Sequence, residues 1–468
     1  MKSDQEARRD GSGTRQAAIL DVARYVGATH EWDREDDLAM RRALLDTFAV
    51  SFAAGSDPAV AAALGYVSNK REGEAATLWV TGSRGGEESA AFFNAIAGHA
   101  LDYDDVSVPV RGHLSVVLFP ALLALAEAES KTWGEVFRAY VVGTRLGCAL
   151  GKAYALPMSL RGWHTTSVIG MFAATAACAR LLRLTEDETA NALGISAAGL
   201  AGNLESFGTW SKPMQAGQAA CGAVRSARLA QRGFTGPVTA LDGARGFVRL
   251  YVASEDTETF RAAWEDGKSE AFRVRETLEI KKYPACYAAH RALDALHDLR
   301  DHHGFGAQDV ARIAVRASPR SLTPLVHSRP ETGPQAKFSL QYCLACMLVD
   351  GGLRMASFTD EAVRRPVVRA WLDRIDVRES AEPQAERWTE VSVLLTDGSR
   401  VSARATHVRG GHEHPMTAAE LMGKVHDCLD FGGNRVDGAV LGRLLDVKDE
   451  SRVRDDMADM VPTLPLPR

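Results

Sequence analysis

Apolar positions recur at helical spacing through the first half of the chain. Ile19, Val22, Ala23 and Val26 form one stripe, and Leu44, Leu45, Phe48 and Phe52 form another behind Arg41–Arg42. Gly55 and Pro58 then punctuate the pattern. Residues 90–101 and 168–182 are apolar nearly all round and rich in small side chains, which predicts helices buried on every side. Thr185 followed by Glu188 is a capping-box signal for a helix through Leu193. Small residues let helix backbones approach closely, so residues 15–250 read as a packed helical bundle.

Near Ala271 the period shortens. Residues 312–317 alternate, with Ile313 and Val315 on one face, and Ile375 and Val377 mark a second short strand. Residues 391–395, the Asp397–Gly398 turn and residues 401–405 read as a hairpin. Helices are expected at 289–299 and 338–348 among these strands, and again at 418–429 and 440–445 after Gly410–Gly411 and Pro415. The expected fold is mainly α with an α+β part. A large all-helical domain (16–274 and 409–468) carries a smaller inserted α+β lid domain (275–408), and residues 1–15 form a flexible tail. A ligand site is expected at the junction of the two.

A chain of 468 residues is long enough for two or three domains at ~100–200 residues each. Apolar residues make up 46% and charged residues 25%, which excludes a disordered or collagen-like chain. Lys plus Arg number 55 against 60 Asp plus Glu, a net charge of −5, so no electrostatic drive toward nucleic acid or an anionic membrane exists. Seven scattered cysteines fit reduced thiols, and residues 1–16 lack a secretory core. The longest apolar run, 114–126, contains Pro120 and is too short to span a bilayer. A soluble cytoplasmic protein is expected.

The common nucleotide-binding, hydrolase and zinc-protease motifs are absent. Cys343 and Cys346 lack a second ligand pair and sit in an apolar helix, so core thiols are expected there and no metal site. Four segments stand out. Asp102-Tyr103-Asp104-Asp105 closes a buried helix and leads to Gly112-His113. Its bland reading is that Asp104 or Asp105 ends the helix in solvent. Arg161-Gly162-Trp163-His164 precedes another buried helix, where a histidine suits proton transfer and an ordinary cap is the alternative. Lys212 in Ser211-Lys212-Pro213, and Lys281 in Lys281-Lys282-Tyr283-Pro284, are either solvated charges beside turns or cations of an anion pocket.

In this order, these segments resemble the MmgE/PrpD family over residues 15–460, together with Phe92-Phe93-Asn94-Ala95 and Phe338-Ser339-Leu340-Gln341-Tyr342. The resemblance implies a helical domain plus lid, a homodimer, no organic cofactor, and a small polycarboxylate substrate. It implies catalytic roles for Asp102, His113 and His164, and substrate binding by Lys212, Lys281 and Tyr342. Val106 and Ser107-Val108-Pro109 stand where the decarboxylase branch has a threonine and a histidine, and Leu114 follows His113 where many relatives have proline. The expected activity is therefore a hydro-lyase of the 2-methylcitrate dehydratase type. The alternative is an epimerase of an imino- or amino-dicarboxylate, ahead of cis-aconitate-type decarboxylation or non-catalytic binding. Either imidazole is a candidate base, Asp102 would orient one of them, and the lysines would stabilise an enediolate.

Overall fold

The computed structural model describes residues 17–28, 30–70, 73–381, 387–433 and 436–461. The expected tail at 1–15 lies outside them. Six helices frame the site from the first half of the chain: α1 (Arg34–Ala53), α2 (Glu87–His99), α3 (Ser115–Ala128), α4 (Trp133–Leu160), α5 (Thr165–Leu181) and α6 (Ser211–Gln231). Every residue of α3 from Ser115 to Glu127 is buried, and Pro120 lies within it. Close packing here depends on small side chains. A Cβ on Gly143 of α4 would stand 2.6 Å from Leu118 Cδ2 of α3 and 2.8 Å from the Ala173 carbonyl of α5. The capping box at Thr185 and Glu188 forms as its spacing predicts.

The smaller unit carries α7 (His290–His303) and α8 (Leu340–Asp350). Its strands are β1 (Val310–Ala317), β2 (Ile375–Glu379), β3 (Thr389–Leu395) and β4 (Arg400–Ala405), in the order β2-β1-β3-β4. β1 and β2 run parallel, with Ile313 opposite Ile375. β3 and β4 form the expected hairpin, with Val391 opposite Ala403. Alternation along β3 buries Thr389, Val391 and Val393 beneath the two helices.

Two apolar cores result. One takes side chains from Ala18 to Leu278, then Met355, and again from Leu421 to Val461; the other takes Tyr283 to Val393. The C-terminal return is α9 (Ala418–Phe431), packed on α1. Residues 440–445, expected as one helix, form a short helix at Gly438–Gly442 and a 3-10 turn at Arg443–Leu445. Where the chain passes between the cores, Ile280 N donates to Gly410 O at 2.9 Å, tying the outgoing and returning strands together. Among the described residues no single helix is long and apolar enough to cross a membrane. All seven cysteines are free and buried.

Candidate active site

Helix α2 ends at His99, and the chain turns back through Asp102 in the left-handed conformation (φ 54°). A non-glycine residue held there costs roughly 1–2 kcal/mol, so the surroundings must fix it. They do so with two lysines. Lys212, in the first turn of α6, places Nζ 2.7 Å from Asp102 Oδ1. Lys281, just after the Leu278–Glu279 strand, donates to the Asp102 carbonyl at 2.5 Å and lies 3.4 Å from Oδ2. Both lysines are buried, so neither is a solvated charge beside a turn.

The three carboxylates of this loop meet three different fates. Burial opposes ionisation of Asp102, but the ammoniums of Lys212 and Lys281 outweigh it and hold the carboxyl far below its ordinary value. Asp104, fully buried, is likewise opposed by burial and held down by the imidazoles of His113 and His99. Asp105 takes its help from the Ser115 hydroxyl, with Lys424 adding less: Ser115 Oγ donates to it at 2.5 Å and also meets Tyr140 Oη at 2.7 Å. Burial, with Asp46 nearby, pushes its carboxyl well up toward the neutral form. Neither Asp104 nor Asp105 ends the helix in solvent.

Two imidazoles meet Asp104, and a third stands behind His99. His99 Nδ1 lies 2.9 Å from its Oδ2. His113 Nδ1 lies 3.0 Å from the same oxygen, off line for a hydrogen bond, while its Nε2 stands 3.8 Å from Asp102 Oδ1. Asp104 thus makes the closer imidazole contacts, the part expected of Asp102. The His99 ring stands 4.6 Å from that of His113 and 6.0 Å from that of His164, centre to centre. Lys212 Nζ sits 3.1 Å from His99 Nε2. Burial lowers His99 to about 4, against the pull of Asp104 and with the help of Lys212. His164 is lowered well below 6.5, by burial first and then by His99 and Lys212. Its Nδ1 lies 2.8 Å from Gln215 Oε1.

Local sequence explains how His113 is held. A Cβ at position 112 would fall 2.7 Å from Thr166 Oγ1, so only glycine lets this loop lie on the start of α5. His113 N then donates to Thr166 Oγ1 at 3.1 Å. That helix start anchors the loop through side chains, with Thr165 Oγ1 donating to Arg111 O at 3.2 Å.

A cavity of about 390 Å³ opens between the two units, lined by Asp57, Leu101, Asp102 and Lys212 on one side and by Pro334, Lys337, Phe338 and Phe358 on the other. Lys281 and His113 stand one contact behind its wall, touching Asp102. Tyr342 is not brought to it. The tyrosine is wholly buried in α8, its Oη donating to Ser357 O at 2.5 Å, and burial raises its pKa. Three residues that pattern alone does not single out belong to the cluster: His99, Lys337 and Gln215. His99, Asp104 and His113 offer ligand atoms within 4.8 Å of one another, a set with the chemistry to take a divalent cation, although the Lys212 ammonium beside His99 opposes one. The paired cysteines of α8 and the exposed His412 and His414 take no part.

The family model for the MmgE/PrpD N-terminal domain matches residues 21–259, and that for the C-terminal domain matches residues 283–440. The chain belongs to the MmgE/PrpD family. It is 27% identical over 349 residues to the cis-aconitate decarboxylase of Homo sapiens, covering 71% of this chain and 70% of that protein. It is 25% identical over 408 residues to a cis-aconitate decarboxylase of Aspergillus terreus, covering 82% of each. It is also 28% identical over 261 residues to the 2-methylcitrate dehydratase of Salmonella typhimurium, covering 51% of this chain and 52% of that protein. This member of the MmgE/PrpD family is an enzyme with a lyase-type role.

Proposed function

We propose that the chain is a hydro-lyase that removes a proton beside a carboxylate of a small polycarboxylate, in the manner of a 2-methylcitrate dehydratase. The observation that carries this reading is the convergence of Lys212 and Lys281 on Asp102 within reach of imidazole, at the wall of a cavity between two units. A carbon acid next to a carboxylate is weak, so its enediolate needs fixed cations; buried ammoniums supply them without reorganisation. An imidazole takes the proton, and the electron pair passes into the carboxylate as an enediolate. The pair returns to form the double bond as the C–O bond of the neighbouring carbon breaks. A second imidazole, protonated, gives its proton to the departing hydroxide, which leaves as water. His164, which burial keeps neutral, takes the first proton, and His113, beside the Asp104 carboxylate, gives the second.

Decarboxylation is the second reading, favoured by the similarity to cis-aconitate decarboxylases. It shares the carbanion but loses carbon dioxide in place of a proton and ends with protonation of the carbon. Position 106 weighs against it: Val106 pairs with Glu279 in a buried ribbon and brings no hydroxyl. Incubation with 2-methylcitrate and with cis-aconitate separates the readings. Appearance of an unsaturated acid from the first supports dehydration, carbon dioxide from the second supports decarboxylation, and neither product defeats both.

A further inference from the structure

The lysine that the smaller unit brings to the cavity forms no ion pair among the described residues. Lys337 follows the short helix Gly333–Ala336, is half-buried, and donates from Nζ to the Leu101 carbonyl, one residue before Asp102. No carboxylate oxygen of the described residues lies within ion-pair distance of it, whereas Lys212 and Lys281 share Asp102. Its nearest ring is that of Phe358, 5.8 Å from Nζ to the ring centre. Burial lowers its pKa to about 8, with Asp102 resisting and Lys281 and Lys212 adding to the shift. An ammonium in this setting gains most from a carboxylate delivered by a ligand. The rest of the wall has a different character. Among the described residues charge reaches it only from Asp57, Asp102, Lys212 and Lys337, and Pro58, Leu101, Pro213, Met355, Phe358 and Phe431 make much of the remainder. An acid made only of carboxylates and hydroxyls leaves that surface against water; a hydrocarbon group covers it.

We infer that the acid accepted here carries an apolar substituent larger than methyl, with its carboxylates held between Lys212 and Lys337 and the substituent lying against the Met355, Phe358 and Phe431 wall. This rests on the polycarboxylate reading above and narrows it. Lys337 then acts as a specificity-determining cation that the lid presents to the ligand.

Calorimetric titration of the full chain with 2-methylcitrate and with its homologue bearing butyl in place of methyl tests the inference. A buried methylene contributes about fourfold in affinity, so the butyl acid is expected to bind at least about tenfold more tightly. Phe431→Ser, on a residue that is 40% exposed, should erase much of the preference for the butyl acid over 2-methylcitrate. Lys337→Met should weaken both acids by roughly tenfold or more, and Lys337→Arg should restore part of the loss. Turnover of 2-methylcitrate with no gain in affinity for the butyl acid overturns this inference alone. Unchanged affinities in Lys337→Met remove Lys337 from it. Failure of both acids to bind or react overturns the polycarboxylate reading as well.

Discussion

Replacing Lys212 by methionine deletes one ammonium and keeps most of the volume of its stem. That ammonium lies 2.7 Å from Asp102 Oδ1 and 3.1 Å from His99 Nε2. At an effective dielectric of ~20 a unit ion pair at 2.7 Å attracts by about 6 kcal/mol, and one at the 3.4 Å of Lys281 by about 5 kcal/mol, so Asp102 keeps a strong partner in the variant. Removing one member of a buried pair ordinarily costs roughly 3–5 kcal/mol; with Lys281 still in place the expected loss of folding stability is smaller, about 1–3 kcal/mol. The catalytic loss should exceed it. A fixed donor aimed at developing negative charge contributes about 3–4 kcal/mol to the barrier, so kcat should fall by roughly 10²–10³. A spectroscopic sign accompanies this. His99 is held to about 4 chiefly by burial, against Asp104, with Lys212 adding to the effect; without that ammonium its pKa must rise. Steady-state kinetics with 2-methylcitrate, urea unfolding and imidazole NMR titration read the three effects. A folded Lys212→Met enzyme within about threefold of wild-type kcat, with the His99 titration unmoved, refutes the reasoning.

Three further outcomes follow from the same contacts. His99 has a folded pKa of about 4 against 6.5 for the free side chain, so the unfolded chain binds more protons between those values; stability is full above pH 6.5 and falls on acidification toward pH 4, by about 3 kcal/mol from this residue, and His99→Gln should flatten that part of the urea-unfolding profile. Gly112→Ala drives a Cβ to 2.7 Å from Thr166 Oγ1 and 2.9 Å from the Thr166 amide, so the loop must shift; a loss of about 1–3 kcal/mol in thermal unfolding and a lower kcat through His113 are expected. Lys424 lies 2.5 Å from the buried Asp46 and donates at 2.9 Å to both Tyr103 O and Lys281 O; Lys424→Met should cost roughly 3–5 kcal/mol in chemical denaturation, and adding Asp46→Asn should recover part of it.

Much of this architecture is legible in residue order because its signals are local. The alternation at 391–405 with its Asp397–Gly398 turn specifies a hairpin, and Thr185 with Glu188 specifies a helix start. The parallel pairing of β1 with β2 is not local: Ile313 meets Ile375 across the whole of α8, and nothing in either strand names the other. The site divides along the same line. Asp102, Lys212 and Lys281 stand out because charge at the edge of apolar segments is costly to bury unpaired, and the structure pairs them. His99 escapes notice because it closes a helix that otherwise reads as continuous apolar core. Asp104 is ambiguous until the backbone reverses at Asp102 and seals it against two imidazoles. Tyr342 misleads for the opposite reason: α8 is buried from Leu340 to Leu348 apart from Gln341, so its sequence has no polar face to show which side meets the cavity. Lys337 lies just before that apolar helix, and only the packing of the smaller unit gives it a place beside Leu101.

The most direct measurement is proton NMR of the full chain with 2-methylcitrate, citrate and cis-aconitate in heavy water, run beside Lys212→Met. Carbanion chemistry at the lysine–imidazole cluster predicts that the wild type forms an unsaturated acid and exchanges deuterium into the carbon next to a carboxylate, and that the variant does neither. An acid returned labelled with no unsaturated product contradicts dehydration in favour of epimerisation. Wild-type protein that binds these acids and leaves every one of them unlabelled and unconverted contradicts the account as a whole.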